Sequence, residues 1–129
     1  MGSLAVIPGL QIEDLKKFIE DFEHEYSTAH KRLCFIIIKR IYRRVLNGHR
    51  FGGIKVDSTG LVVDGNHRYI AYKLAKIEFE IIPWTSSLSD EPKSYNKITI
   101  DEIEDWDLNC LKNMKYCTDD FLTEEKSAN

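Results

Sequence analysis

The chain has 129 residues, 43% of them apolar and 30% charged, with a formal net charge of −3. That balance is too apolar for a disordered chain, its apolar runs fall far short of the ~18–20 residues needed to cross a bilayer, and its length suits one domain of the usual ~100–150 residues. Cys34, Cys110 and Cys117 form no C-x-x-C pair and follow no apolar secretory leader, so reduced thiols in a cytoplasmic protein are expected, not a disulfide scaffold or a zinc site.

Leu4 to Ile7 reads as a first strand ended by Pro8-Gly9. Ile12, Leu15, Phe18, Ile19, Phe22 and Tyr26 then recur at helical spacing, with Glu13, Asp14, Glu20, Asp21, Glu23 and Glu25 on the solvated side. Lys31 to Asn47 is expected to be a second helix, with Cys34, Ile37, Ile38, Ile41, Val45 and Leu46 inward and Gly48 as its stop; its Phe35–Ile38 centre also has strand propensity. Ile54 to Asp57, the turn Ser58-Thr59-Gly60 and Leu61 to Asp64 predict a hairpin. Arg68 to Lys76 predicts a helix with Ile70, Ala71, Leu74 and Ala75 inward, and Glu78 to Trp84 a strand. Residues 85–96 read as a loop, 97–122 as a C-terminal extension with short periodic segments at Ile98–Ile103 and Leu108–Met114, and 123–129 as a frayed tail. The fold class is α/β or α+β: residues 1–129 as a single domain, with a small mixed sheet, packed helices and a core in 4–84.

The richest stretch is Val63-Asp64-Gly65-Asn66-His67-Arg68-Tyr69-Ile70-Ala71-Tyr72, where a strand breaks at Asp-Gly and a helix starts at once. The first turn of a helix carries unpaired N–H groups and a partial positive charge, which stabilise an anion by ~0.3–1 kcal/mol, or up to ~2 kcal/mol when partly buried. Arg68 adds a planar fork suited to phosphate oxygens, and His67 a donor whose charge would switch near neutral pH. Read locally, the same residues also make an ordinary turn with Asn66 as N-cap. Phe51-Gly52-Gly53 would permit a close approach of backbone to ligand, and Trp84 would pack on a base or on the core rim. His30 and His49 lack metal-ligand spacing and read as surface residues.

Asp64-Gly65-Asn66-His67-Arg68 followed by Tyr69-Ile-Ala-Tyr-Lys-Leu-Ala75 resembles the phosphate-binding signature of the ParB/sulfiredoxin superfamily, most clearly from Gly60 to Ala75 and more weakly from Val6 to Trp84. Sulfiredoxins place a catalytic cysteine immediately before the His-Arg pair; Asn66 stands there and has no thiolate to offer. Chromosome-partition ParB proteins append a helix-turn-helix domain, for which the 53 residues after Lys76 leave no room. The closest pattern is the free-serine kinase branch. What that resemblance implies is a nucleotide (ATP or ADP, with CTP as an option) held by Gly65, Asn66, His67 and Arg68, with Mg²⁺ helped by Asp64. Glu25 would be the general base for a small hydroxyl acceptor, with Glu23 as the fallback, and Asp64 and His67 would join it in catalysis.

Lys31, Arg32, Lys39, Arg40, Arg43, Arg44 and Arg50 lie within twenty residues that contain no acid. Lys39, Arg40, Arg43 and Arg44 fall on one side of the second helix, where they would track a nucleic-acid backbone or form a solvated face. The stretch Asp101 to Glu125 carries nine acids and two lysines, which suits docking onto that helix or onto a basic partner. Three functions follow as expectations: a nucleotide-dependent phosphotransferase or NTPase, a non-catalytic nucleotide-switched module, and a DNA-binding or nuclease domain.

Overall fold

Helix α1 (Ile12–Asp21) begins where the Asp14 carboxylate accepts the Gln11 backbone N–H at 3.1 Å, in a computed structural model that describes residues 9–21, 24–85 and 91–107. Glu13 and Asp14 place negative charge on its first turn, and Leu15 and Ile19 are its buried contacts. The expected strand at Leu4–Ile7, residues Phe22 and Glu23, and everything from Leu108 onward lie outside the described residues.

The elements that follow are β1 (Ser27–Thr28), β2 (Arg32–Cys34), α2 (Phe35–Leu46), β3 (Ile54–Val56), β4 (Leu61–Asp64), α3 (Asn66–Ala75), β5 (Ile81–Pro83), β6 (Lys93–Ser94), a 3-10 turn (Tyr95–Lys97) and β7 (Thr99–Asp101). Five strands form one mixed sheet in the order β5-β3-β4-β1-β6, with β1 parallel to β4, β3 parallel to β5, and β3 antiparallel to β4. β2 and β7 pair in parallel as a second, two-stranded sheet. This is the small α/β arrangement with packed helices that the sequence predicts.

The hairpin is set locally. Asp57 Oδ1 accepts the N–H of Thr59 at 2.8 Å, the Thr59 hydroxyl at 2.7 Å and the N–H of Leu61 at 3.0 Å, which folds the turn between β3 and β4. Helix α2 differs from expectation at its start: Arg32–Cys34 is strand, because Leu33 is fully buried and pairs with Ile100 of β7. From Phe35 onward the isoleucines are helical, their apolar stripe turned onto α3, so burial overrides the modest strand preference of β-branched residues. Tyr26, expected on the first helix, instead lies just before β1, where Thr28 is buried and pairs with Val62.

The core lies among the three helices and the five-stranded sheet. Tyr42, Tyr69, Tyr72 and Tyr95 are its largest fully buried side chains, joined by Leu15, Ile38, Ile54, Val62 and Ile70. Tyr69 stacks obliquely on Tyr95 with centroids 5.0 Å apart, and Tyr72 on Phe79 at 5.3 Å. Among the described residues no helix is long and apolar enough to cross a membrane.

Candidate anion cleft at the start of helix α3

Gly65 is the hinge of the site. It takes φ +97°, the left-handed region that favours glycine, and lets β4 become α3 within one residue. A Cβ there would stand 2.9 Å from Ile54 Cδ1 and 3.1 Å from an Arg68 terminal nitrogen, so the position is closed to side chains by space as well as by angle. The Tyr69 N–H donates to the Gly65 carbonyl at 2.8 Å, and the amides of Asn66, His67 and Arg68 before it have no intrahelical acceptor.

These amides open into a cleft of about 680 Å³, which Asp64, Gly65, Asn66, His67 and Arg68 all line. Helix α2 lines the facing wall with Ile37, Arg40, Ile41 and Arg44. The lining thus holds three arginines against two aspartates, Asp64 and Asp107, and its field favours an anion.

Each signature residue has a distinct environment. The Asn66 side chain is buried and points away from ligand space: Tyr95 Oη donates to its Oδ1 at 2.6 Å, and its Nδ2 reaches the Val62 carbonyl at 3.4 Å. Asn66 is therefore the first helical residue, with Gly65 as N-cap, and only its backbone N–H faces an anion. His67 Nε2 accepts the Cys34 N–H at 2.9 Å, which places the imidazole proton on Nδ1. Burial, reinforced by His30, holds its pKa down at about 4. The expectation of a charge that switches near neutral pH is corrected accordingly: His67 is a neutral N–H donor there.

Arg68 is a brace as well as a candidate ligand. Its Nη1 donates to the Phe51 carbonyl at 2.7 Å and its Nη2 to Asp64 Oδ2 at 3.0 Å. Gly52 and Gly53, expected to admit a ligand, admit protein instead: a Cβ on Gly52 would stand 3.8 Å from Arg68 Nη1, and one on Gly53 2.8 Å from the Glu80 carbonyl. Asp64 remains 56% exposed on its side chain. Among the described residues no group of three or more His, Cys, Asp or Glu side chains is placed to hold a metal ion. Asp64 fits Mg²⁺ only as a single carboxylate beside phosphate oxygens and water.

Glu25 lies elsewhere. It is exposed, pairs with Lys73 Nζ at 3.2 Å, and does not line the cleft. Lys73 is seven residues beyond Asn66, roughly 10 Å along the helix axis. The reason is the early end of α1 and the turn into β1, which carry Glu25 to the flank of α3. Glu23 lies outside the described residues. Trp84 is 52% exposed at the end of β5, beneath Lys55 Nζ at 4.1 Å from its ring centroid, and also does not line the cleft.

Arg40 and Arg44 are the residues whose role the sequence pattern obscured. Expected within one exposed basic row, Arg40 keeps 13% of its side chain accessible and Arg44 is buried at 7%. Lys39 instead lies over the Phe35 ring, so the four cations do not form a continuous exposed stripe. Arg40 is bonded by both terminal nitrogens to Asp105, whose carboxyl it holds below the usual carboxylate range. Of the acidic stretch Asp101 to Glu125, Asp105 thus contacts the basic helix, and the part from Leu108 onward lies outside the described residues. The chain matches no protein-family model, no curated protein and no solved structure.

Proposed function

We propose that the cleft binds the phosphate chain of a nucleotide, and that the protein is a ParB/sulfiredoxin-like, nucleotide-dependent phosphotransferase or NTPase acting on a small hydroxyl acceptor. The observation that carries the reading is the convergence of the α3 N-terminal amides with Arg40, Arg44 and Arg68 on one cleft. Each supplies what phosphate oxygens need: aimed N–H groups, a helix dipole and planar guanidinium donors. His67 adds a neutral Nδ1–H, which needs no proton change to donate. Mg²⁺, when bound through Asp64 and phosphate oxygens, would neutralise charge on the transferred group. Asp64 and Asp107 are the carboxylates lining the cleft, and one of them takes the acceptor's proton; Glu25 would first have to leave Lys73.

A second reading, a nucleotide-switched module without turnover, is favoured by the pairing of Glu25 with Lys73 away from the cleft. A nucleic-acid surface is disfavoured by the burial of Arg40 and Arg44.

Thermal stabilisation by ATP, ADP, CTP and GTP, with and without Mg²⁺, tests binding; a ligand at 100 times its Kd adds about 2.7 kcal/mol. Inorganic pyrophosphate should compete, because the recognised group is the phosphate chain. No stabilisation by any nucleotide at millimolar concentration would overturn the reading. Phosphorus NMR of nucleotide and Mg²⁺ with a panel of hydroxyl acceptors then separates enzyme from switch.

A further inference from the structure

We propose that Arg40 is a second anion subsite of this cleft, and that Asp105 is its resident competitor, carried on a strap that a ligand's outer phosphate must displace. The inference rests on the phosphate-binding reading above and adds to it a residue, a competitor and a moving part.

The strap is built by Asp101, at the end of β7. Asp101 Oδ1 accepts the backbone N–H groups of Ile103 at 3.0 Å and Glu104 at 3.1 Å, and its Oδ2 accepts Arg32 Nη2 and Trp106 Nε1, each at 2.8 Å. The three bonds from Ile103, Glu104 and Trp106 curl residues 101–106 into a turn that delivers Asp105 to α2 and Trp106 to the start of α3, and the bond from Arg32 anchors that turn to β2. Arg40 Nη1 then donates to Asp105 Oδ1 at 3.0 Å, and Nη2 to the second carboxylate oxygen. The Trp106 ring meets His67 edge-on at 5.5 Å and is crossed by the Arg32 guanidinium at 5.7 Å.

The strap therefore touches two groups assigned to phosphate. Arg40 lines the same cleft as the α3 amides, and so do Trp106 and Asp107. A guanidinium fork accepts a carboxylate and a phosphate in the same two-oxygen geometry, so Asp105 occupies Arg40 as an anionic ligand would. Only 13% of the Arg40 side chain and 16% of the Asp105 side chain are accessible, which strengthens the pair and makes exchange for a more highly charged anion selective. The displacement is confined to the Asp105 end of the strap, because Glu102 is held by Lys16 Nζ at 2.6 Å and the Glu104 carbonyl accepts Cys34 Sγ at 3.1 Å, while Ile103 between them is 86% exposed.

The reporter is intrinsic, since the chain has two tryptophans and Trp84 lies away from the cleft. In a Trp84→Phe background, inorganic pyrophosphate is titrated while Trp106 emission is followed, and affinities are compared with those of Asp105→Asn and Arg40→Gln. The expected results are a saturable Trp106 change, pyrophosphate binding about tenfold tighter in Asp105→Asn, and no such gain when Asp105→Asn is made in the Arg40→Gln protein. Circular dichroism checks that each variant is folded; should Asp105→Asn unfold, the Trp106 response in the Trp84→Phe protein alone decides. Pyrophosphate binding that leaves Trp106 emission unmoved, or equal affinity with and without the Asp105 charge, would overturn the competitor while leaving the phosphate cleft intact. No pyrophosphate binding to any of these proteins would overturn both.

Discussion

The backbone N–H of Cys34 donates to His67 Nε2 at 2.9 Å, and this single bond ties the two-stranded sheet to the first turn of α3. Protonation of Nε2 would break it and bury a charge. In the unfolded chain His67 takes a proton near pH 6.5, in the fold only near pH 4, so its contribution is complete above pH 6.5 and is lost as pH falls toward 4. At ~1.4 kcal/mol per pKa unit the loss is at most about 3 kcal/mol. His24, also held down by burial, adds a smaller loss of the same sign. Urea denaturation at pH 7.5, 5.5 and 4.5 should show the decline, and His67→Gln, which keeps an acceptor without the titration, should flatten most of it. Asp101, held at about 2 chiefly by its bond from Trp106 and the strap amides, loses its contribution only as pH falls below its ordinary 3.8.

Gly65→Ala should cost about 1–3 kcal/mol, because alanine meets both the left-handed φ and the contacts with Ile54 and Arg68. The damage should be local to the site. Because Arg68 must move to admit the methyl group, nucleotide-induced stabilisation should fall with the midpoint of unfolding. Unchanged stability would mean that the strand-to-helix turn has another way round.

Tyr95→Phe should destabilise by about 1–3 kcal/mol although it deletes one oxygen. Tyr95 is fully buried and donates to the buried Asn66 Oδ1, so the variant leaves that acceptor without its hydroxyl in the core. Burial also raises the Tyr95 phenol above its ordinary pKa, so it remains a donor at any pH the fold survives. Chemical denaturation of Tyr95→Phe measures the cost, and a change below ~0.5 kcal/mol would mean that Asn66 finds another donor.

What could be read from the sequence was whatever is decided locally. Asp57, Gly60 and Gly65 set the hairpin and the start of α3 within a few residues of themselves; the hairpin stands where the pattern put it, and α3 begins at Asn66, two residues before the expected Arg68. β1 and β2 could not be read, being two and three residues long and defined by partners at Leu61–Val62 and Thr99–Asp101. Tyr42, Tyr69 and Tyr72 escaped the expected core because a helical tyrosine reads equally well as rim; only the aromatic cluster decides. The inward turn of Asn66 depends on Tyr95, 29 residues away. Arg40 and Arg44 looked like the wet face of an amphipathic helix, and only the return of the strap across α2 makes them part of a cleft.

Glu25→Ala gives the cleanest separation between the roles expected of the acidic residues. Its ion pair with Lys73 is largely exposed on the Glu25 side, so removal should change stability by no more than ~1 kcal/mol. Because Glu25 does not line the cleft, nucleotide affinity and turnover should both stay near wild type, whereas Asp64→Asn should lower turnover by roughly 10²-fold or more if Asp64 acts on the phosphates. Steady-state kinetics with the acceptor from the NMR screen distinguish the two. If instead Glu25→Ala lowers kcat by such a factor at unchanged KM, Glu25 is the base after all. The ligand complex must then draw it off Lys73 and across the face of α3, a movement of roughly two helical turns.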